Sequence, residues 1–193
     1  MLSWQARTIK SILARKRLHS HKADYLDIDG GRANLEMAGE VVRPIIHIDH
    51  IGVLANGVPG EWVIPAGVGS ERVILYLHGG AYNAGSTRSH RALAANIASA
   101  AHARALTIDY RLAPEHPYPA ALVDAFSAYK WLLEQGIRSE QIVITGDSAG
   151  GGLTIALLAA LRERRQPMPA AAVVLSPWTD LSDSGESWQE NAK

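Results

Sequence analysis

Ser148 sits in Gly146-Asp147-Ser148-Ala149-Gly150, the pattern G-x-S-x-G in which a serine hydroxyl is presented on a tight strand-to-helix turn for attack on an acyl carbon. The string alone is a weak signal, and its context gives it weight. Ile142-Val143-Ile144 reads as a strand running into the turn, and a helical stretch begins at Ala149. Gly146 and Gly150 have a steric reason, because side chains two residues either side of the serine would collide across so tight a turn. The helix N-terminus also aims backbone N–H groups at charge developing beside Ser148, with Asp147 as a supporting residue of the motif. The bland alternative is a glycine-rich turn in which Ser148 is an ordinary helix cap.

A second group of residues fits the same chemistry. His78-Gly79-Gly80-Ala81-Tyr82 follows the apolar run Val73 to Leu77 directly, a loop of the kind that supplies donors to the oxyanion of an acyl-transfer intermediate. Removing one such donor can cost about 3 kcal/mol of barrier. The donors expected here are the N–H groups of Gly79, Gly80 and Ala149. A histidine ahead of two glycines is expected to brace the loop rather than to move protons, which is the role assigned to His78. Two glycines could also form a plain turn or a phosphate loop, but no lysine follows in Walker fashion.

The elements that must carry these groups alternate in type. Val73 to Leu77 reads as strand and Arg88 to Ala101 as helix; Ala105 to Ile108 is strand and Ala120 to Gln135 helix. Gln141 to Thr145 is strand, Ala149 to Arg165 helix, and Ala170 to Leu175 strand again. Such alternation predicts an α/β fold, a mostly parallel sheet with helices on both faces. Ala170 to Leu175 is apolar at every position and reads as an interior strand, which becomes a bare edge where its neighbours are missing. Before residue 44 the texture differs: Asp29-Gly30-Gly31 reads as a turn, and Ala33 to Ala38 as a brief helix ending at Gly39. Between Ile45 and Ile64, β-branched residues around Asn56-Gly57 and Pro59-Gly60 suggest two or three short antiparallel strands.

Composition narrows the remaining classes. A chain of 193 residues with 47% hydrophobic and 20% charged residues can build one sizeable core. Nineteen basic residues balance nineteen acidic ones, so no net field recruits nucleic acid or an anionic membrane. Zero cysteines exclude a disulfide framework, a thiolate nucleophile and a thiolate zinc site. No apolar run approaches the roughly 18 residues of a membrane span, and the N-terminus lacks a secretory signal pattern, so the cytoplasm is the expected location. Arg7, Lys10, Arg15, Lys16, Arg17 and Lys22 form a basic amphipathic helix with Trp4, Ile9, Ile12 and Leu13, read as a solvated helix capping a pocket rather than a membrane-surface or transit segment. His47-Ile48-Asp49-His50 offers metal-ligand types, but on a strand residues 47 and 49 face opposite to residue 50, so a surface strand is expected and no metal.

Taken together, four segments resemble the bacterial hormone-sensitive-lipase-like carboxylesterases, family IV, of the α/β-hydrolase fold. They are His78 to Tyr82, Asp109-Tyr110-Arg111-Leu112-Ala113-Pro114-Glu115-His116-Pro117-Tyr118-Pro119-Ala120-Ala121, Gly146 to Gly151, and Ser176-Pro177-Trp178-Thr179-Asp180-Leu181. Order and spacing agree from roughly Ile45 to Trp188. The resemblance implies hydrolysis of short- to medium-chain carboxylic esters through a serine acyl-enzyme, on small-molecule esters and without a cofactor. It also implies a cap over the active site formed by an N-terminal segment, residues 1–43, on a core of residues 44–193. Asp109, Arg111, Glu115 and His116 are read as scaffolding of a proline-rich loop.

One departure is decisive for activity. In such hydrolases the chain order is Ser, then Asp or Glu, then His, whereas here no histidine follows His116. Without a base, Ser148 has nowhere to send its proton. Asp180 and Asp183 follow the serine, but neither matches the family's acid. The resemblance places acid and base beyond Lys193 and implies eight strands, of which the last two are missing, so the sequence is expected to be an esterase cut short and inactive by itself. A ligand-binding relative without catalysis, as in plant gibberellin receptors, is the alternative; a structural protein docking through its basic helix leaves all four motifs unexplained. A homo-oligomer is left open.

Overall fold

The computed structural model describes residues 27–41, 47–69, 71–182 and 185. The basic segment between Arg7 and Lys22 lies outside them. The described residues form helix α1 (Ile28–Val41), strands β1 (Ile48–Ala55), β2 (Val58–Pro65) and β3 (Val73–Leu77), helix α2 (Thr87–Ala100) and strand β4 (Arg104–Ile108). Helix α3 (Ala120–Glu134), strand β5 (Ile142–Asp147), helix α4 (Ala149–Glu163) and strand β6 (Ala171–Leu175) follow. The strands make one sheet in the order β1-β2-β4-β3-β5-β6. Its first two pairings, β1 with β2 and β2 with β4, are antiparallel; β3 runs parallel to β4 and β5, and β5 to β6.

Strand β3 is apolar throughout because the sheet is covered on both sides of it. Val73, Leu75 and Leu77 join Leu106, Ile108, Ile142 and Ile144 against Ala125, Tyr129 and Leu132 of α3 and Leu153, Leu157 and Leu161 of α4. The alternate residues Ile74 and Tyr76 pack with Val63, Ala105 and the alanines of α2, namely Ala94, Ala95 and Ala98. Two helices thus cover one face and α2 the other, as the alternation of strand and helix predicts. Among the described residues, no helix is long and apolar enough to cross a membrane.

Two local expectations are corrected, at Asp29-Gly30-Gly31 and at Pro59-Gly60. Asp29-Gly30-Gly31 is not a turn but the first turn of α1, a continuous helix of 14 residues. Asp27 starts it, accepting the Gly30 N–H on Oδ1 at 2.8 Å while its carbonyl accepts the Gly31 N–H at 3.0 Å. Nor does Gly39 stop the helix; it lies so close to the Ser89 backbone of α2 that a Cβ has no room. Next, Asn56 and Gly57, with φ of +49° and +88°, make the hairpin turn between β1 and β2, while Pro59 and Gly60 lie inside β2, where Gly60 pairs with Ile108. Finally, β6, whose composition suits an interior strand, is the bare edge expected where its further neighbours are missing. Its one strand neighbour among the described residues is β5, and Val173 is 53% and Leu175 39% exposed.

Candidate active site

Ser148 stands where β5 passes into α4 at the carboxyl end of the parallel strands, with φ +53° and ψ −119°. A side chain in this region is strained by about 1–3 kcal/mol and persists only where the surroundings impose it. Here the Ser148 N–H donates to Leu175 O at 2.9 Å, and its carbonyl accepts from Trp178 N–H at 2.8 Å and Gly152 N–H at 3.1 Å. Gly146 packs against the Gly150 carbonyl and Leu77 O, and Gly150 against Leu77 O and His78 O, leaving no space for a Cβ at either position. The hydroxyl is exposed and has no hydrogen-bond partner among the described residues.

The loop after β3 is locked to this elbow. Gly150 touches the His78 carbonyl, and the Gly79 N–H donates to Asp147 Oδ1 at 3.0 Å. This corrects one expectation: the Gly79 amide is turned inward to a carboxylate and is not free to meet an oxyanion. His78 is 2% exposed, stacks on Tyr110 with ring centres 4.2 Å apart, and has Nδ1 2.7 Å from Gly79 O. A carbonyl only accepts, so the proton is on Nδ1. Burial holds the imidazole down at about 4, hence neutral at pH 7 and a poor base. In the planar trans peptide the Gly80 N–H is opposite the Gly79 carbonyl and therefore points away from the His78 ring. Gly80 has φ +120° and Ala81 φ +55°, and the N–H groups of Gly80, Ala81 and Ala149 have no partner among the described residues. Sequence reasoning passed over Ala81, since nothing in the string says which amide of the loop is left free.

Asp109, Arg111, Glu115 and His116 make no hydrogen bond to Ser148 among the described residues, though Arg111 and His116 reach the rim of the apolar cavity beside α4. Asp109 accepts the Thr87 N–H at 2.6 Å at the start of α2; burial raises its pKa, partly offset by the Thr87 bonds. Arg111 forks onto Asp124 of α3, and Tyr110 donates to His78 O at 2.7 Å. His116 is exposed. Glu115 takes both ends of the Arg32 guanidinium at 2.8 Å, and that bonded partner brings its carboxyl down to about 2. Arg32 of α1 also donates to Asn83 O at 2.7 Å and Ala113 O at 3.1 Å, joining α1 to both loops. Nothing in the spacing announced this clip. On β1 and just before it, His47 pairs with Asp49 at 3.2 Å while His50 faces Glu61.

An apolar cavity of about 410 Å³ opens between α3 and α4 beside the elbow, lined among others by Tyr82, Leu122, Leu153, Ile155, Ala156 and Trp178. A larger hollow of about 600 Å³ lies against Ile74, Ile97, Val143 and Val173, reaching Arg72 and Arg138 at the opposite, amino ends of the strands. Ligands of such sheets bind outside the carboxyl ends, which favours the smaller cavity.

Residues 74–193 match a family model described as the alpha/beta hydrolase fold. An acetyl-hydrolase of Streptomyces hygroscopicus is 51% identical over 127 residues, 66% of this chain and 42% of that protein. An esterase of Acinetobacter venetianus is 42% identical over 137 residues, 71% of this chain and 45% of its own length. Among solved structures, an esterase from the bacterial hormone-sensitive lipase family superposes with a TM-score of 0.88 at 41% identity, covering 100% of this chain and 64% of that one. A mutant of esterase E40 gives 0.86 at 44% identity, covering 92% of this chain and 60% of the other. The matched part therefore spans under half of these two curated relatives.

Proposed function

The chain belongs to the α/β-hydrolase family, in its bacterial hormone-sensitive-lipase branch, and from that premise we propose that it carries the nucleophile and oxyanion site of a carboxylic ester hydrolase. One observation carries the reading. Ser148 is held at a positive φ between strand and helix with its hydroxyl exposed, beside a loop whose Gly80 and Ala81 amides are unpaired among the described residues. Strain of this kind has no benefit to the fold itself.

In the proposed reaction Ser148 Oγ bonds to the ester carbonyl carbon and its proton passes to a base. The carbonyl oxygen becomes an oxyanion facing the N–H groups of Gly80, Ala81 and Ala149. Collapse releases the alcohol, which takes the proton, and water then hydrolyses the acyl-serine. His78 is too buried and too weak a base for this, and no histidine follows His116. We assign base and acid to polypeptide that the relatives have beyond the matched region. The apolar cavity at Tyr82, Leu153 and Trp178 suits an uncharged ester group, and the acetyl-hydrolase relative supports a short acyl chain. Helix α1, clipped by Arg32 to the oxyanion loop, belongs in this reading to a cap over the site.

The test is co-expression of residues 1–193 with the unmatched C-terminal part of the Streptomyces acetyl-hydrolase, followed by p-nitrophenyl acetate hydrolysis. Turnover abolished by Ser148→Ala is expected; turnover that survives this change overturns the assignment.

A further inference from the structure

The β3–β5 ladder ends with Leu77 opposite Gly146. One residue further, the side chain of Asp147 takes over from the main chain. Its Oδ1 accepts the Tyr76 hydroxyl at 2.6 Å and the Gly79 N–H at 3.0 Å, while Oδ2 faces His90 Nε2 of α2 at 3.7 Å. His90 is itself fixed by Ser89 Oγ, 2.9 Å from Nδ1. Gly79 approaches the carboxylate so closely that a Cβ there would collide with it. Asp147 therefore joins three pieces, β3, the loop after it and α2, to the turn that carries the nucleophile.

We propose that Asp147 is a positioning residue for the oxyanion site, acting through Gly79 to fix the distance between the loop amides and Ser148; this rests on Ser148 being the nucleophile. The plane of the His78–Gly79 peptide is set by Asp147, and that of the Gly79–Gly80 peptide by His78. With both planes fixed, the direction of the Gly80 N–H follows. Without the carboxylate, the loop keeps its anchors to His78 and Tyr110 and its packing on Gly150 but loses its hydrogen bond to the elbow. Such preorganisation acts on the developing charge and not on ground-state binding, so its loss falls on kcat. The donors match an ionised acceptor. Burial pushes the Asp147 carboxyl up, but the nearby His90, the Tyr76 hydroxyl and the Gly79 amide outweigh it and the net shift is downward. Tyr76, raised by burial and then by Asp147, stays protonated as a donor.

Two measurements test this on Asp147→Ala and Asp147→Asn. Hydrogen exchange of residues 1–193, carried on a soluble fusion partner, should show the Gly79 amide exchanging about 10-fold faster or more in Asp147→Ala, with β3 and α4 unchanged. Asp147→Asn, which keeps an acceptor oxygen, should fall between. In the chain complemented as above, kcat for p-nitrophenyl acetate should drop by about 10- to 100-fold in Asp147→Ala with KM within about twofold, and partly recover in Asp147→Asn. Unchanged exchange, or equal loss in KM and kcat, overturns the proposal. If the unsubstituted complemented chain does not hydrolyse the ester, the nucleophile assignment fails instead, and the exchange result still decides whether Asp147 holds the loop. Should Asp147→Ala not fold, Asp147→Asn carries both comparisons.

Discussion

Strain at the nucleophile predicts that destroying it stabilises the fold. Ser148→Gly removes the Cβ that makes φ +53°, ψ −119° costly, and the hydroxyl it deletes has no partner among the described residues. Relief is worth about 1–3 kcal/mol, against which glycine adds about 0.5–1 kcal/mol of unfolded-state entropy. The net expectation is a gain of about 1 kcal/mol, at most about 2.5 kcal/mol, or roughly 2–4 °C in Tm for each kcal/mol in a chain of this size. Ser148→Ala is the control, since it loses the hydroxyl but keeps the Cβ and should stay within about 0.5 kcal/mol of the parent. Urea unfolding of the three chains at equal m-value separates the cases. A gain in Ser148→Ala as large as in Ser148→Gly, or a loss of about 1 kcal/mol in Ser148→Gly, would refute the reasoning, because strain would then not be the cause.

The buried His78 gives a pH dependence. Its pKa falls from 6.5 in the unfolded chain to about 4 in the fold, so the unfolded state binds the extra proton and stability is lost as pH drops from about 6.5 to 4. The contribution is about 3 kcal/mol, and urea midpoints across that range should flatten in His78→Gln. Leu75, fully buried in the core, should cost about 2–5 kcal/mol when changed to Ala, read from the same midpoints. Val173→Lys, on the exposed face of β6, should raise the soluble fraction on expression while leaving circular dichroism unchanged, because it charges an apolar edge. Residues 1–193 alone should show only trace turnover of activated aryl esters, since oxyanion donors without a base can retain at most roughly 10³–10⁴ over the uncatalysed rate; a standard p-nitrophenyl acetate assay checks this.

What the sequence made legible, and what it hid, divides along physical lines. The apolar runs of β3, β4 and β5 and the periodicity of α2, α3 and α4 are local signals, and the structure places these elements within a residue or two of where they were read. Gly30 and Gly31 misled because glycine pairs signal turns locally, whereas the Asp27 cap and the close contact of Gly39 with Ser89 are tertiary facts. For β6, composition describes a strand fit for burial on both sides, but burial depends on neighbours, and Val173 and Leu175 are exposed here. In the candidate site the motif glycines at 146 and 150 stand where crowding demands them. The orientation of the Gly79 amide was not legible, because it is set by a carboxylate 68 residues away. Tyr76, the one polar tip in an apolar strand, was the signal that could have pointed to that carboxylate.

The proposed chemistry depends first on Ser148 being the nucleophile. The complemented protein, treated with a p-nitrophenyl phosphonate and digested, should carry one phosphonyl adduct on the peptide containing Ser148, and Ser148→Ala should carry none. An adduct on another residue, with Ser148 unmodified while hydrolysis is lost, would contradict it.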